Sequence, residues 1–196
     1  MKVEELALQR KRFAHLSDEE WRWMLQQVEG RQRTHDKLPT FAQIEDWWYP
    51  VRLSCEQCSS EATARYKAAI IRQFGKKQDI LIDLTGGYGV DTYFLSEQTT
   101  QAHYVERNEE LCRIAQHNFQ IANKSIHVHN TSAEDFLAQY SMAGSVSFSL
   151  HAFSSKGVIC RFWNFTVPCF PSKMISPCPI KRLLYSAIRY GLEGSV

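Results

Sequence analysis

The sequence predicts an α/β fold, a parallel sheet with crossover helices preceded by a helical N-terminal extension. Three observations predict it. Between residues 80 and 140, short apolar runs alternate with amphipathic stretches in the order strand–helix–strand–helix–strand–helix, which is how parallel strands and their crossovers read. A glycine-rich turn, TGGYGV, closes the first of these runs. Upstream, two serine-led capping signatures precede stretches of helical spacing. At 196 residues the chain suits one domain plus an extension.

In chain order, Ser17-Asp18-Glu19-Glu20 is a capping box, and Trp21, Met24, Leu25 and Val28 follow at helical spacing as a buried face. Gly30 is placed to end that helix, and Arg31, Arg33, His35 and Lys37 read as a solvated loop. An aromatic segment, FAQIEDWWYP, runs to Pro50. Ser54-Cys55-Glu56-Gln57 is a second capping box. It opens one helix that continues to Gly75, with Ala62, Tyr66, Ala69, Ile70 and Gln73 at three- and four-residue steps. ILIDL is then a buried strand, DTYFLSEQ begins a helix, and AHYVE is a second strand ending at Glu106. NEELCRIAQHNFQIAN is a helix carrying Leu111, Ile114, Ala115, Phe119 and Ala122 on one face. SIHVHN is a third strand and AEDFLAQY a short helix. The expected organisation is an extension over residues 1–53, a core over 54–140 and an atypical tail over 141–196.

The charge balance of +2 is too small to argue for nucleic acid, membrane or acidic partners. No apolar run approaches the roughly 20 residues of a membrane span, and MKVEELALQRKR lacks the apolar centre of a signal peptide. A soluble cytoplasmic protein is expected. Six irregularly spaced cysteines read as reduced thiols. Cys55 and Cys58 form a lone C-x-x-C without a second ligand pair, and no carboxylates complete a site around His117, His127 and His129, so no metal is expected.

In an open parallel sheet, ligands sit beyond the carboxyl ends of the strands. The turn in DLTGGYGVD, residues 83–91, lies at such an end. A P-loop needs a Gly-Lys-Ser/Thr ending that is missing here, and Gly86, Gly87 and Gly89 do not give the G-x-G-x-x-G spacing. Asp83 ahead of the loop would repel a pyrophosphate but suits a ligand with a positive centre. Glu106 ends the next strand, where a carboxylate can accept from both hydroxyls of a ribose. A nucleoside cofactor such as S-adenosylmethionine fits this pair, and a structural turn with a surface Glu is the alternative.

DLTGGYGVDTYFLS together with YVERNEELCRIAQHNF resembles the class I S-adenosylmethionine-dependent methyltransferases, in particular the bacterial proteins named for a THUMP-like domain. KLPTF and YPVRLSCEQCSSEATARYK extend the resemblance, which covers roughly Leu6 to Tyr140. It implies a Rossmann-like sheet, a methyltransferase activity with S-adenosylmethionine as cofactor, and RNA as a partner. By position, Asp83, Thr85, Gly86, Gly87 and Gly89 would form the methionine-end loop and Glu106 would hold the ribose. Gln57, Ser59, Ser60 and Glu61 become candidate cofactor or substrate contacts. The adenine contact falls at Ser132, with Glu134 or Asp135 as substitutes.

Relatives hold the methyl acceptor from the end of strand four, with an Asp-Pro-Ala-Arg-Arg turn or a similar one. After Tyr140 no such turn occurs. From Ser141 onward Glu193 is the sole acid, against six Lys or Arg, three Cys and four Pro. This break predicts a frame slip near residues 141–150 or a truncated gene, a sheet stopping at three strands, and a tail outside the family sequence. The rival expectations are a non-catalytic cofactor-binding remnant, a non-functional product, or a helical interaction module on residues 1–75.

Overall fold

The computed structural model describes residues 2–74, 80–139, 146–154 and 157–165. The extension begins with α1 (Val3–Ala7) and α2 (Asp18–Thr34). The first capping box forms as predicted. Ser17 Oγ accepts from Glu20 N at 3.2 Å, and Glu20 Oε2 accepts from Ser17 N at 2.7 Å. Gly30 does not end α2, however, and Arg31 and Arg33 lie on its last turns rather than in a loop. The glycine serves a close approach instead. A Cβ there would stand 2.3 Å from the Cβ of Tyr49, whose strand of chain crosses the helix. That crossing is fixed by Gln27, which accepts from Tyr49 N at 2.7 Å and donates to Tyr49 O at 3.0 Å.

Next come α3 (Pro39–Ala42), α4 (Arg52–Gln57) and α5 (Glu61–Phe74). The single helix expected from Ser54 is therefore two helices, and the second capping box does not form. Val51 precedes α4 without a side-chain cap, and Cys58 is extended (φ −66°, ψ 158°). Ser60 is the serine that caps, accepting from Thr63 N at 3.2 Å. Glu61 holds the break open by taking Thr40 N at 2.9 Å and Thr40 Oγ1 at 2.7 Å. The buried face of α5 also differs from the predicted one. Glu61, Ala64, Lys67, Ala68 and Ile71 face inward, whereas Ala62 and Ala69 face water and Tyr66 is 69% exposed. Apolar periodicity misleads here because two buried positions are charged. Gly75, the expected end of this helix, lies outside the described residues.

The predicted alternation then follows as β1 (Ile80–Asp83), α6 (Val90–Leu95), β2 (Gln101–Glu106), α7 (Glu109–Ile121), β3 (Ile126–Asn130) and α8 (Ala133–Gln139). Two more strands join, β4 (Val146–Ser154) and β5 (Gly157–Phe165), giving the order β3-β2-β1-β4-β5. The sheet does not stop at three strands. β4 lies parallel to β1, and β5 turns back antiparallel to β4. VSFSLHAFS and GVICRFWNF are strand-like runs separated by two residues, a spacing that permits a hairpin but no crossover helix.

The extension and the sheet share one core on the α6–α7 face. Phe41 stacks on Trp47 (4.1 Å between centroids), and Trp47 Nε1 donates to Tyr88 Oη at 2.8 Å. Asn118 of α7 clamps the backbone of Trp48, accepting its N–H and donating to its C=O, both at 2.8 Å. The opposite face is smaller, with Ile82, Leu84, Val105 and Phe136 of α8 packed together.

On this second face His103, His127 and His129 form a ladder across β2 and β3. His103 Nδ1 meets His129 Nε2 at 2.9 Å, and the His103 ring stacks on His127. His117 bonds Asp46 O at 2.8 Å and stacks on Trp48. Burial, then the neighbouring His129 and His127, pull His103 down to about 4. Below pH 6.5 the unfolded chain therefore takes up a proton that the folded chain refuses, so stability present above 6.5 is lost as the pH falls towards 4. Denaturant titrations at pH 7 and pH 5 should differ by about 2 kcal/mol from this residue alone. In His103→Gln that difference should shrink, and an unchanged slope would exclude the ladder as its source.

Candidate functional site

The turn after β1 is built by contacts with β2. Gly86 N donates to Val105 O at 2.9 Å, and Tyr104 Oη donates to Gly87 O at 2.5 Å. Gly87 (φ 54°) and Gly89 (φ 83°) take the left-handed backbone that suits glycine. The three glycines have separate duties. A Cβ on Gly86 would strike the Tyr104 ring and one on Gly89 the Phe119 ring, so these two serve packing. A Cβ on Gly87 would meet only Thr85 O at 3.8 Å, so this glycine opens onto free space.

That space is a cavity of about 420 Å³ at the carboxyl ends of β1 and β2. Thr85, Gly86, Gly87 and Gly89 form its floor, Glu106 and Arg107 one side, Thr131 to Glu134 another, and the α4–α5 connection with Gln57 and Ser59 a third. Glu106 is held in place by two amides: Oε2 accepts from Gly87 N at 3.1 Å and Oε1 from Asn108 N at 2.9 Å. Its backbone oxygen accepts from Thr131 N at 3.1 Å, which fixes the β3 side to the β2 side.

Not every predicted residue reaches the cavity. Asp83 is buried and turned inward, with Oδ1 accepting from Thr85 N at 3.2 Å and Oδ2 from Thr92 Oγ1 at 2.6 Å. It braces the turn instead of lining the cavity. Ser60 and Glu61 serve the α5 cap and Thr40. Ser132 lines the wall with Glu134, whereas Asp135 exchanges hydrogen bonds with the Ser132 hydroxyl. Cys55 and Cys58 donate to Pro50 O and Cys55 O, and burial pushes Cys55 up to about 12. This is the profile of inert structural thiols. Among the described residues no group could hold a metal ion, and no helix is long and apolar enough to cross a membrane.

Sequence reasoning missed Lys67 and Asp91. Lys67 Nζ donates to Asp91 Oδ2 at 2.8 Å and to Ser59 Oγ at 3.1 Å, and Ser59 Oγ donates to Asp91 Oδ2 at 2.8 Å. Ser59 and Asp91 line the cavity and Lys67 stands behind them. The sequence carried no signal for them, because Lys67 falls outside the apolar spacing of α5 and its inward position emerges only in the fold.

No protein-family model and no curated protein matches the chain. Among solved structures it is similar to an inferred methyltransferase of Porphyromonas gingivalis W83, at 32% identity and a TM-score of 0.54. The match covers 63% of this chain and 30% of that one, so the chain spans under a third of its relative's length. The fold is that of the Rossmann-like methyltransferases. Weaker likenesses include an inferred RNA methyltransferase of Pyrococcus horikoshii (16% identity, TM-score 0.41, 50% and 51% covered). An O-methyltransferase of Bacillus cereus in complex with SAH is also similar (15%, 0.38, 59% and 74%).

Proposed function

We propose that the chain binds S-adenosylmethionine and carries the cofactor half of a class I methyltransferase, with RNA as the acceptor class. The observation that carries this reading is the pairing of Glu106 with the Gly87 amide, beside a glycine whose missing side chain leaves the cavity open. A ribose offers Glu106 two donors, and the spacing of Gly86, Gly87 and Gly89 is neither that of a P-loop nor that of a dinucleotide loop. When bound, the cofactor supplies an electrophilic methyl group. The chain's own part is to hold the ribose through Glu106 and to seat the remainder against Thr85, Gly87 and Ser132. Asp83 keeps the turn in shape from behind. The RNA assignment rests on the resemblance to the proteins named for a THUMP-like domain and on the acceptor turn of relatives, which does not occur after Tyr140.

Isothermal calorimetry with S-adenosylhomocysteine tests the reading, with saturable one-to-one binding as the expected result. Glu106→Ala should weaken that binding by about 1.5–3 kcal/mol, the worth of a charged hydrogen-bond partner. Equal affinity in the variant would remove the ribose role.

A second reading has its own support. β4 leads into an antiparallel strand rather than a crossover helix, and no Asp-Pro turn follows Tyr140 in the sequence. A remnant that binds cofactor without transferring methyl groups fits these features, as does a frame slip near residues 141–150. Binding without transfer to RNA would favour it. The interaction-module reading loses ground because Phe41, Trp47 and Tyr49 are committed to the shared core.

A further inference from the structure

We propose that the groove between α2 and the start of α7, walled by Trp23, Trp48 and Arg113, seats an unpaired base of the RNA acceptor. This rests on the RNA reading above and adds a contact surface outside the cofactor cavity.

The groove has a volume of about 700 Å³, and Trp23 and Gln26 of α2, Trp48, and Glu110 and Arg113 of α7 stand in its wall. The Trp23 and Trp48 rings meet edge to face, with 5.3 Å between centroids and 83° between planes. The Arg113 guanidinium lies over both rings, 5.2 Å and 5.6 Å from their centroids. One turn further along α7, His117 stacks on Trp48 at 3.7 Å. Both indoles are half-buried, whereas Glu110 and Arg113 are exposed. The joint between extension and sheet domain does not require these rings. It is held by bonds to the backbone: Asn118 clamps Trp48, and Gln26 and Gln27 both donate to Tyr49 O. Indole faces and a guanidinium plane at a water-facing edge are the surfaces on which unpaired bases stack.

The charges in the wall favour a base over a phosphate. Glu19, Glu20 and Glu110 face Arg22 and Arg113 there, so the carboxylates outnumber the guanidiniums and a phosphate would be repelled. A carboxylate accepts from the exocyclic amine of adenine, cytosine or guanine, and it repels the two carbonyl oxygens that flank the N–H of uracil. Glu110 is the carboxylate placed for this. Glu20 is committed to the Ser17 cap, whereas Glu110 has one long contact among the described residues, Gln26 Nε2 at 3.5 Å. Position ties the groove to the cofactor site. Glu110 and Arg113 face the groove, while Arg107 and Leu111 face the cavity beyond Glu106. The start of α7 is thus the partition between the two, and a strand with one base in the groove runs beside the cavity.

Fluorescence anisotropy on the full chain tests this with labelled single-stranded RNA hexamers of adenine, cytosine or uracil. The adenine and cytosine hexamers should bind more tightly than the uracil hexamer by about fivefold or more. Arg113→Ala and Trp23→Leu should each weaken the adenine hexamer by about fivefold or more, the loss of one stacking surface. Arg113 is exposed and serves as the deciding variant if Trp23→Leu does not fold. Glu110→Gln should shrink the preference over uracil to about twofold or less, because the charge that repels the uracil carbonyls is gone. Equal binding of the three hexamers by the unaltered protein would reduce the contact to backbone attraction and overturn the base site, as would full affinity in Arg113→Ala. Capture of a lysine- and arginine-rich peptide, weakened by Glu110→Gln, with no hexamer bound would assign the groove to a basic protein and also overturn it. Calorimetry with S-adenosylhomocysteine on the same protein separates the two readings. If that nucleoside binds and no hexamer does, the groove fails and the cofactor reading stands. If the hexamers bind with the expected preference and the nucleoside does not, the base site stands and the cofactor reading fails.

Discussion

Lys67→Met is expected to destabilise the folded chain by about 3–5 kcal/mol, the range found when one partner of a buried ion pair is removed. Methionine keeps the length and most of the volume of the lysine stem, so no large cavity arises. What is lost is the countercharge to Asp91. That carboxylate lies in a site only 5% exposed and would keep its Ser59 hydrogen bond without the cation that balances it. Urea titration monitored by tryptophan fluorescence measures the effect, and an unchanged m-value would assign it to stability rather than to a reshaped denatured state. The double variant Lys67→Met/Asp91→Asn should cost clearly less than the two single changes together, because the second removes the charge stranded by the first. Strict additivity would mean that the two groups do not interact. A cost of Lys67→Met under about 1 kcal/mol would place the pair among exposed ones, contrary to the burial described.

The same residue marks the limit of what the sequence discloses. The alternation from β1 to α8 was legible because its strands read as short runs bounded by turn residues and their crossovers as amphipathic stretches. The Ser17 box was legible because its hydrogen bonds are local. α5 was not, because its inward face is held by Glu61 bonding to Thr40 and Lys67 bonding to Asp91, partners 21 and 24 residues away. A pattern that scores only apolar residues selects the solvent face in such a helix. Gly30 misled for a related reason. Its requirement for a missing side chain comes from Tyr49, not from the end of its own helix. In the site, Glu106 and the glycine turn could be found because strand ends are predictable positions. The inward turn of Asp83 could not, since it depends on Thr92 arriving on α6.

Gly86→Ala should be the most damaging change in the glycine turn, and its cost should fall on the fold before it falls on binding. The added Cβ would stand 2.2 Å from Cε2, 2.4 Å from Cδ2 and 2.7 Å from Cζ of Tyr104. Neither side can withdraw. The Tyr104 ring is fully buried, packs edge-on against Phe119 and is anchored through its hydroxyl to Gly87 O. The Gly86 backbone is tied to Val105 O on the same strand. Overpacking of this kind costs about 1–3 kcal/mol where neighbours can shift and more where they cannot, so about 3 kcal/mol or more is expected. Gly87→Ala is the contrasting variant. Its Cβ meets open space, so stability should fall by only about 1–2 kcal/mol for the left-handed backbone, while nucleoside affinity drops because the methyl group enters the cavity. Truncating the obstacle should partly rescue the first variant: Gly86→Ala/Tyr104→Leu should be more stable than the two single costs added together. A thermal midpoint for Gly86→Ala within a degree or two of the unaltered protein would contradict the close approach of turn and strand on which the shape of the cavity depends.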